Sequence, residues 1–189
     1  KRFHLHETTG VMIPGEAIPT LRSPGEKGWS GVSMPWMSIG YEVALTPLQT
    51  LTFYNAVANN GKMMQPQFVD HISRNGKTIE KFAPKVIDPK ICSDATLEIV
   101  HGLLQGVVDS GTATNLRAAH FAIAGKTGTA RIAKNGNYND VLYQASFVGY
   151  FPANAPKYSC IVVVNGPTMS GIYGNVVAGP IFTEIANKL

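Results

Sequence analysis

Three strand-like stretches follow one another in the last third of the chain, and the turns between them leave little choice of fold. Phe121 to Lys126, Gln144 to Phe151 and Tyr158 to Asn165 are rich in β-branched, aromatic and small apolar residues. Asn135-Gly136 punctuates the first connection, and Pro152 to Pro156 makes the second. Connections built from turns rather than helices join antiparallel neighbours, so these stretches predict a meander. The third contains Ile161-Val162-Val163-Val164, a continuous apolar run with neither proline nor charge. That is the pattern of a strand covered on both faces and flanked on both sides. Left at an edge, such a strand would invite pairing with another chain. A closing helix is predicted over Val176 to Lys188, with Val177, Ile181, Phe182, Ile185 and Leu189 on one side and Pro180 in its first turn.

Two helix signals lie upstream. Thr46 is an N-cap, Pro47 sits at the first helical position and Gln49 falls three residues after the cap, which together form a capping box. That helix is expected to reach Asn60, stop at Gly61 and place Leu48, Leu51 and Ala58 on one face. A second helix should start near Ser93, with Asp94 at its positive end and Leu97, Val100, Leu104, Val107 and Val108 as its buried stripe, and end at Gly111. Between the two, Phe68 to Ile72 and Thr78 to Phe82 flank Asn75-Gly76, the signature of a tight hairpin, in an excursion over about 66–83. The first 35 residues read as loop, punctuated by Pro14-Gly15, Pro24-Gly25 and Gly28, with a short apolar stretch at Trp36 to Gly40. Together these give an α+β fold, an antiparallel β-meander packed with helices.

Charged residues make up only 15% of the chain and carry a net charge of +4 with no basic run, so no nucleic-acid partner is implied. No apolar run approaches the ~18 residues of a membrane span. Cys92 and Cys160 read as two buried thiols. The chain begins Lys1-Arg2-Phe3 without a methionine, and a piece of something longer is expected.

Lys126-Thr127-Gly128-Thr129 is the focus of the chemistry. It supplies a cation, two hydroxyls and a glycine that lets a ligand approach the backbone, which suits a carboxylate or an oxyanion forming at a carbonyl. A phosphate loop ending in Gly125-Lys126-Thr127 would require glycine at position 120, where His120 stands, and a helix to follow. A plain surface turn is the other reading of three such letters alone. The neighbouring blocks argue against it: Met37-Ser38-Ile39-Gly40-Tyr41, Thr46-Pro47-Leu48-Gln49, Ser110-Gly111-Thr112-Ala113, Ala124 to Ala130, Ile172-Tyr173-Gly174 and Ala178-Gly179-Pro180-Ile181-Phe182. In this order they resemble the C-terminal half of the transpeptidase domain of class B penicillin-binding proteins, of the division type.

The resemblance implies a five-stranded sheet of which this chain carries part, residues 1–189 being the C-terminal portion of one domain. The strands of the upstream half would lie beside Tyr158 to Asn165, so in this chain that strand is expected at an edge, either self-associating or left unpaired and aggregating at high concentration. It implies a penicillin-binding D,D-transpeptidase that cross-links peptidoglycan stem peptides through a serine acyl-enzyme. Lys126 and Thr129 would be catalytic, with the N–H of Thr129 an oxyanion donor. Thr127, Gly128 and Thr129 would bind substrate, the two hydroxyls holding its carboxylate. Neither cofactor nor metal is implied. Partners would be stem peptides, β-lactams, the upstream half of the domain, and division or elongation proteins. The protein would work at the periplasmic, outer face of the cytoplasmic membrane, anchored by an upstream segment. Other readings are a β-lactamase, a β-lactam sensor, or a non-catalytic module that binds peptidoglycan or partner proteins.

Departures from the family pattern are equally specific. No serine is followed by lysine at the third position, so the nucleophile is not in this chain. Thr78-Ile79-Glu80-Lys81 has the spacing but carries threonine in a hairpin, and Ser73-Arg74-Asn75 spells the middle S-x-N motif but follows the Thr46-Pro47 helix instead of preceding it. Glu42 stands where the family usually has glycine. His4 and His6 alternate as on one strand face without a third ligand nearby, and His71, His101 and His120 are isolated.

Overall fold

The computed structural model describes residues 2–117, 120–134, 137–168 and 171–189. In chain order the elements are β1 (Thr20–Leu21), α1 (Ser33–Ser38), β2 (Val43–Ala44), α2 (Pro47–Ala58), β3 (Met63–Met64), β4 (His71–Arg74), β5 (Lys77–Lys81), β6 (Val86–Asp88), α3 (Asp94–Asp109), β7 (Ala124–Lys134), β8 (Asn137–Phe151), β9 (Tyr158–Asn165) and α4 (Gly174–Lys188), with one 3-10 turn at Thr114–Leu116. The central sheet is antiparallel in the order β7-β8-β9. The expected meander is therefore present, and β9 keeps its expected limits. β7 and β8 run much further than the sequence signals suggest, because the residues beyond Thr129 continue the pairing, from Ala130 with Gln144 to Lys134 with Asn137, as a two-stranded arm. The Asn135-Gly136 turn lies outside the described residues.

Cross-strand register decides what each face of the sheet carries. Thr127 pairs with Phe147 and Thr129 with Ala145, while Lys126 pairs with Val148 and Gly128 with Ser146. Opposed residues share a face and successive ones alternate. Phe147 and Phe151 point into one core with Phe182 and Ala178 of α4, Leu116 of the 3-10 turn and Val108 of α3. Ala124 and Tyr150 point into the other, with Ala56 and Val57 of α2, Met63 and Ile91. The sheet is thus sandwiched between α4 and α2, and α3 packs along β7.

The capping box forms as read: Gln49 N donates to Thr46 Oγ1 at 3.1 Å, and Thr46 N donates to Gln49 Oε1 at 2.8 Å. The face of α2 differs from expectation. Gln49, Thr52, Ala56 and Val57 are its buried residues, while Leu48, Leu51 and Ala58 are half-buried. Two of those buried side chains are polar and satisfied, Gln49 at the cap and through Glu7 O, Thr52 through Leu48 O, so hydrophobicity alone could not mark the face.

The expected Asn75-Gly76 hairpin is β4–β5, with φ of 52° and 74° at the turn. It stands on a second small pairing, β3 with β6, that the sequence pattern did not signal. Ser93 caps α3 by accepting from Thr96 N. The apolar stretch from Trp36 to Gly40 runs through the end of α1 and its C-cap. His4 and His6 sit in turns near Glu7 and Asp88 and not on a strand, and His4 has φ +53°.

Helix α4 corrects two expectations. Pro180 lies inside the helix and not in its first turn. The buried residues are Gly174, Ala178, Gly179, Phe182 and Ala186, whereas Ile181, Ile185 and Leu189 are exposed among the described residues. Small residues let the helix lie close on the sheet, and Phe182 alone fills the space beneath, its ring 4.8 Å from that of Phe147. Cys92 and Cys160 are half-buried and not fully buried. Each packs against a different core, so they stay free thiols, and desolvation pushes the Cys160 thiol up.

Candidate active site

Lys126-Thr127-Gly128-Thr129 lies within β7, on a sheet edge: among the described residues β7 pairs only with β8, leaving its outer backbone groups open. Pleating starts Lys126 on one face of the strand and the two threonines on the other, but the long Lys126 side chain curls back so that its ammonium comes beside Thr127. Lys126 and Thr129 are exposed, and Thr127 and Gly128 are half-buried. The Lys126 ammonium donates to Thr127 O at 3.0 Å and to Thr127 Oγ1 at 3.4 Å. No ion pair to Lys126 occurs among the described residues. Its positive charge is therefore uncompensated beside an open strand edge, as a site for an anion requires.

Two distant blocks close on the threonines. Thr112, at the end of the connection leaving α3, shares a 3.1 Å hydrogen bond with the Thr127 hydroxyl. Gly174, the first residue of α4, donates its N–H to Thr129 Oγ1 at 3.1 Å. Across the hairpin, a side chain at Gly128 would collide with the Ser146 hydroxyl, so Ser146 lines the strip beside Gly128. Sequence reading quoted the blocks holding Thr112 and Gly174 without giving either residue a role, and it missed Ser146. Only the register Gly128↔Ser146 identifies that residue, and register is not visible before the hairpin is paired.

The convergence of these blocks on one strand edge has a close counterpart among known proteins. Residues 1–187 match the family described as penicillin binding protein transpeptidase domain. The chain belongs to that family. It is 32% identical over 175 residues to a probable peptidoglycan D,D-transpeptidase, PenA, of Neisseria flavescens, covering 92% of this chain and 40% of that protein. It is 29% identical to stage V sporulation protein D of Bacillus subtilis, covering 98% of this chain and 28% of that one. Among solved structures, apo penicillin-binding protein 3 of Mycobacterium tuberculosis superposes with a TM-score of 0.84 at 29% identity, covering 99% of this chain and 44% of that one. The chain thus spans less than half the length of these relatives.

The other candidates of this penicillin-binding family member fall elsewhere. Thr78 to Lys81 and Ser73 to Asn75 lie in the exposed β4–β5 hairpin, so neither stands in for a missing family motif. Glu42, where the family usually has glycine, adopts φ +58°, a left-handed conformation that glycine tolerates best, and its buried Oε2 has no partner. His101 Nε2 lies 3.0 Å from Val57 O and its ring packs against Tyr150, which ties α3 to α2 and the sheet. Among the described residues no group of three or more His, Cys, Asp or Glu is arranged to hold a metal.

Proposed function

We propose that this chain is the substrate-holding part of a peptidoglycan D,D-transpeptidase whose nucleophile lies in a segment outside residues 1–189. The observation that carries the reading is the closure of Thr112 and Gly174, 15 and 45 residues away in sequence, on the two hydroxyls of one open strand edge. An exposed cation with two oriented hydroxyls fits the carboxylate at the end of a stem peptide, and the free edge of β7 fits its extended backbone. A serine would attack the carbonyl of the penultimate D-alanine, the terminal D-alanine would leave, and an amine of a neighbouring stem peptide would resolve the ester. Lys126 would supply positive charge, Thr127 and Thr129 would hold the carboxylate, and the N–H of Thr129 would help to bind the oxyanion. β-Lactams would occupy the same place as mimics of the substrate end.

The upstream half of the domain would supply the serine and its lysine, and strands beside β9. A role in division rather than elongation follows the family resemblance, with partner proteins of that machinery. Its substrate would place it at the outer face of the cytoplasmic membrane. No helix among the described residues is long and apolar enough to cross a membrane, and an upstream segment would supply the anchor.

Intact-mass spectrometry after incubation with benzylpenicillin tests the reading. The protein that carries this chain at full length should gain one acyl group, and residues 1–189 alone should gain none. An adduct on the isolated chain would overturn the placement of the nucleophile. No adduct at full length would favour the non-catalytic module, and rapid hydrolytic release of the adduct would favour a β-lactamase.

A further inference from the structure

The hydrogen bond between Gly174 and Thr129 has a direction that chemistry alone imposes. A backbone N–H only donates, so Thr129 Oγ1 accepts from Gly174 N at 3.1 Å. A hydroxyl has one proton and two lone pairs. With a lone pair committed to Gly174, the single proton of Thr129 is turned away from α4. Thr129 is exposed, so this proton is open to a ligand bound along β7. The donor behind it is the first N–H of a 15-residue helix, one of the groups left without an intrahelical partner at the positive end. A chain of helix N–H, hydroxyl and anion is polarised in one sense throughout, and each bond strengthens the next.

Position 174 can make that bond only as glycine. A Cβ there would run into Ser146 O, and would lie 2.6 Å from Gly128 O and 3.1 Å from Gly128 N, all backbone atoms of the paired strands. Its φ is not among the positive values, so the demand is for space and not for conformation. Backing the helix away would break contacts along its length. Phe182 is wedged against Phe147 and Phe151, a Cβ at Gly179 would already meet Leu116 Cδ1 at 2.6 Å, and Asn115 Nδ2 donates to Asn175 O at 2.8 Å beside the site.

We propose that Gly174 is a positioning residue that locks the Thr129 hydroxyl as a donor and so makes the site selective for a carboxylate over an uncharged ester. The proposal rests on the transpeptidase reading and adds to it the origin of the hydroxyl's direction. Thr129 touches the ligand; Gly174 acts only through it.

The test compares acylation of the full-length protein by benzylpenicillin and by its methyl ester, which share every feature except the carboxylate. Wild type should be acylated faster by the acid. In Gly174→Ala the acid-to-ester rate ratio should fall about 10- to 100-fold, the loss of one hydrogen bond to a charged group. Replacing Gly174 with glycolic acid, which turns the N–H into an ester oxygen and adds no Cβ, should lower the ratio likewise. This second variant decides the question if the alanine variant does not fold. Thr129→Val should also lower the ratio, and adding Gly174→Ala to it should lower it no further. A wild-type ratio in the glycolic acid variant, or additive losses in the double variant, would overturn the proposal. Absence of acylation of wild type by either probe would instead overturn the transpeptidase reading on which it stands.

Discussion

Two glycines three residues apart on β7, Gly125 and Gly128, should respond differently to the same change to alanine. At Gly125 a Cβ would lie 2.5 Å from Val148 O, 2.7 Å from Phe147 Cζ and 3.0 Å from Gly149 Cα. The first two are roughly 1 Å inside the ~3.5 Å at which such contacts become attractive. None of these atoms can yield. Val148 and Gly149 are paired backbone, with Gly149 directly opposite Gly125, and the Phe147 ring is fully buried against Phe182. Overpacking of this kind costs about 1–3 kcal/mol, and a clash with backbone on two sides belongs at the upper end. For a domain of this size that lowers Tm by roughly 4–12 °C, at ~2–4 °C per kcal/mol. At Gly128 the added Cβ meets only the Ser146 hydroxyl, a side-chain end that can turn to another rotamer, and the next contact is 3.8 Å away. Its stability should stay within about 0.5 kcal/mol of wild type. On the transpeptidase reading proposed above its methyl group would stand on the substrate strip, so acylation at full length should fall while Tm holds. Thermal unfolding of both variants beside wild type is the assay. Equal losses of Tm for Gly125→Ala and Gly128→Ala would refute the reasoning, because they would mean that the register of the β7–β8 pair is not what sets the cost.

Glu42→Gly should stabilise the chain by about 1 kcal/mol, since it removes a left-handed non-glycine residue and a buried carboxylate oxygen without a partner, and chemical denaturation would show it. Lys126→Ala at full length should slow β-lactam acylation on the order of 10²-fold with little change in Tm, and rates within a few-fold of wild type would remove Lys126 from the site. Burial pushes the Tyr150 phenol up to about 12, and its buried hydroxyl has no partner. The unfolded chain loses this proton near pH ~10 and the folded one does not, so stability should fall by about 2 kcal/mol as pH rises from ~10 to ~12, and Tyr150→Phe should abolish that part of the slope in urea titrations. Residues 1–189 alone should self-associate through β9, which has a strand neighbour on one side only among the described residues, and sedimentation of Val163→Lys as a monomer beside an associating parent would confirm the route.

Elements whose signals are local were legible in the amino-acid order. A capping box, a left-handed Asn-Gly turn and an unbroken apolar strand each depend on a few neighbouring residues, and α2, the β4–β5 hairpin and β9 formed as those residues dictate. The Lys126 to Thr129 strip was legible as a candidate site, because its chemistry sits in four consecutive residues and its companion blocks follow a set order. Tertiary structure alone decided what those four residues face. Ser146 stands beside Gly128 through cross-strand register, Thr112 and Gly174 reach the threonines through the packing of α3 and α4, and α4 buries alanines and glycines instead of its isoleucines. Periodicity reports which residues share a side of one element. The distance of closest approach between two elements decides which side is used, and here that distance was set by residues with almost no side chain to read.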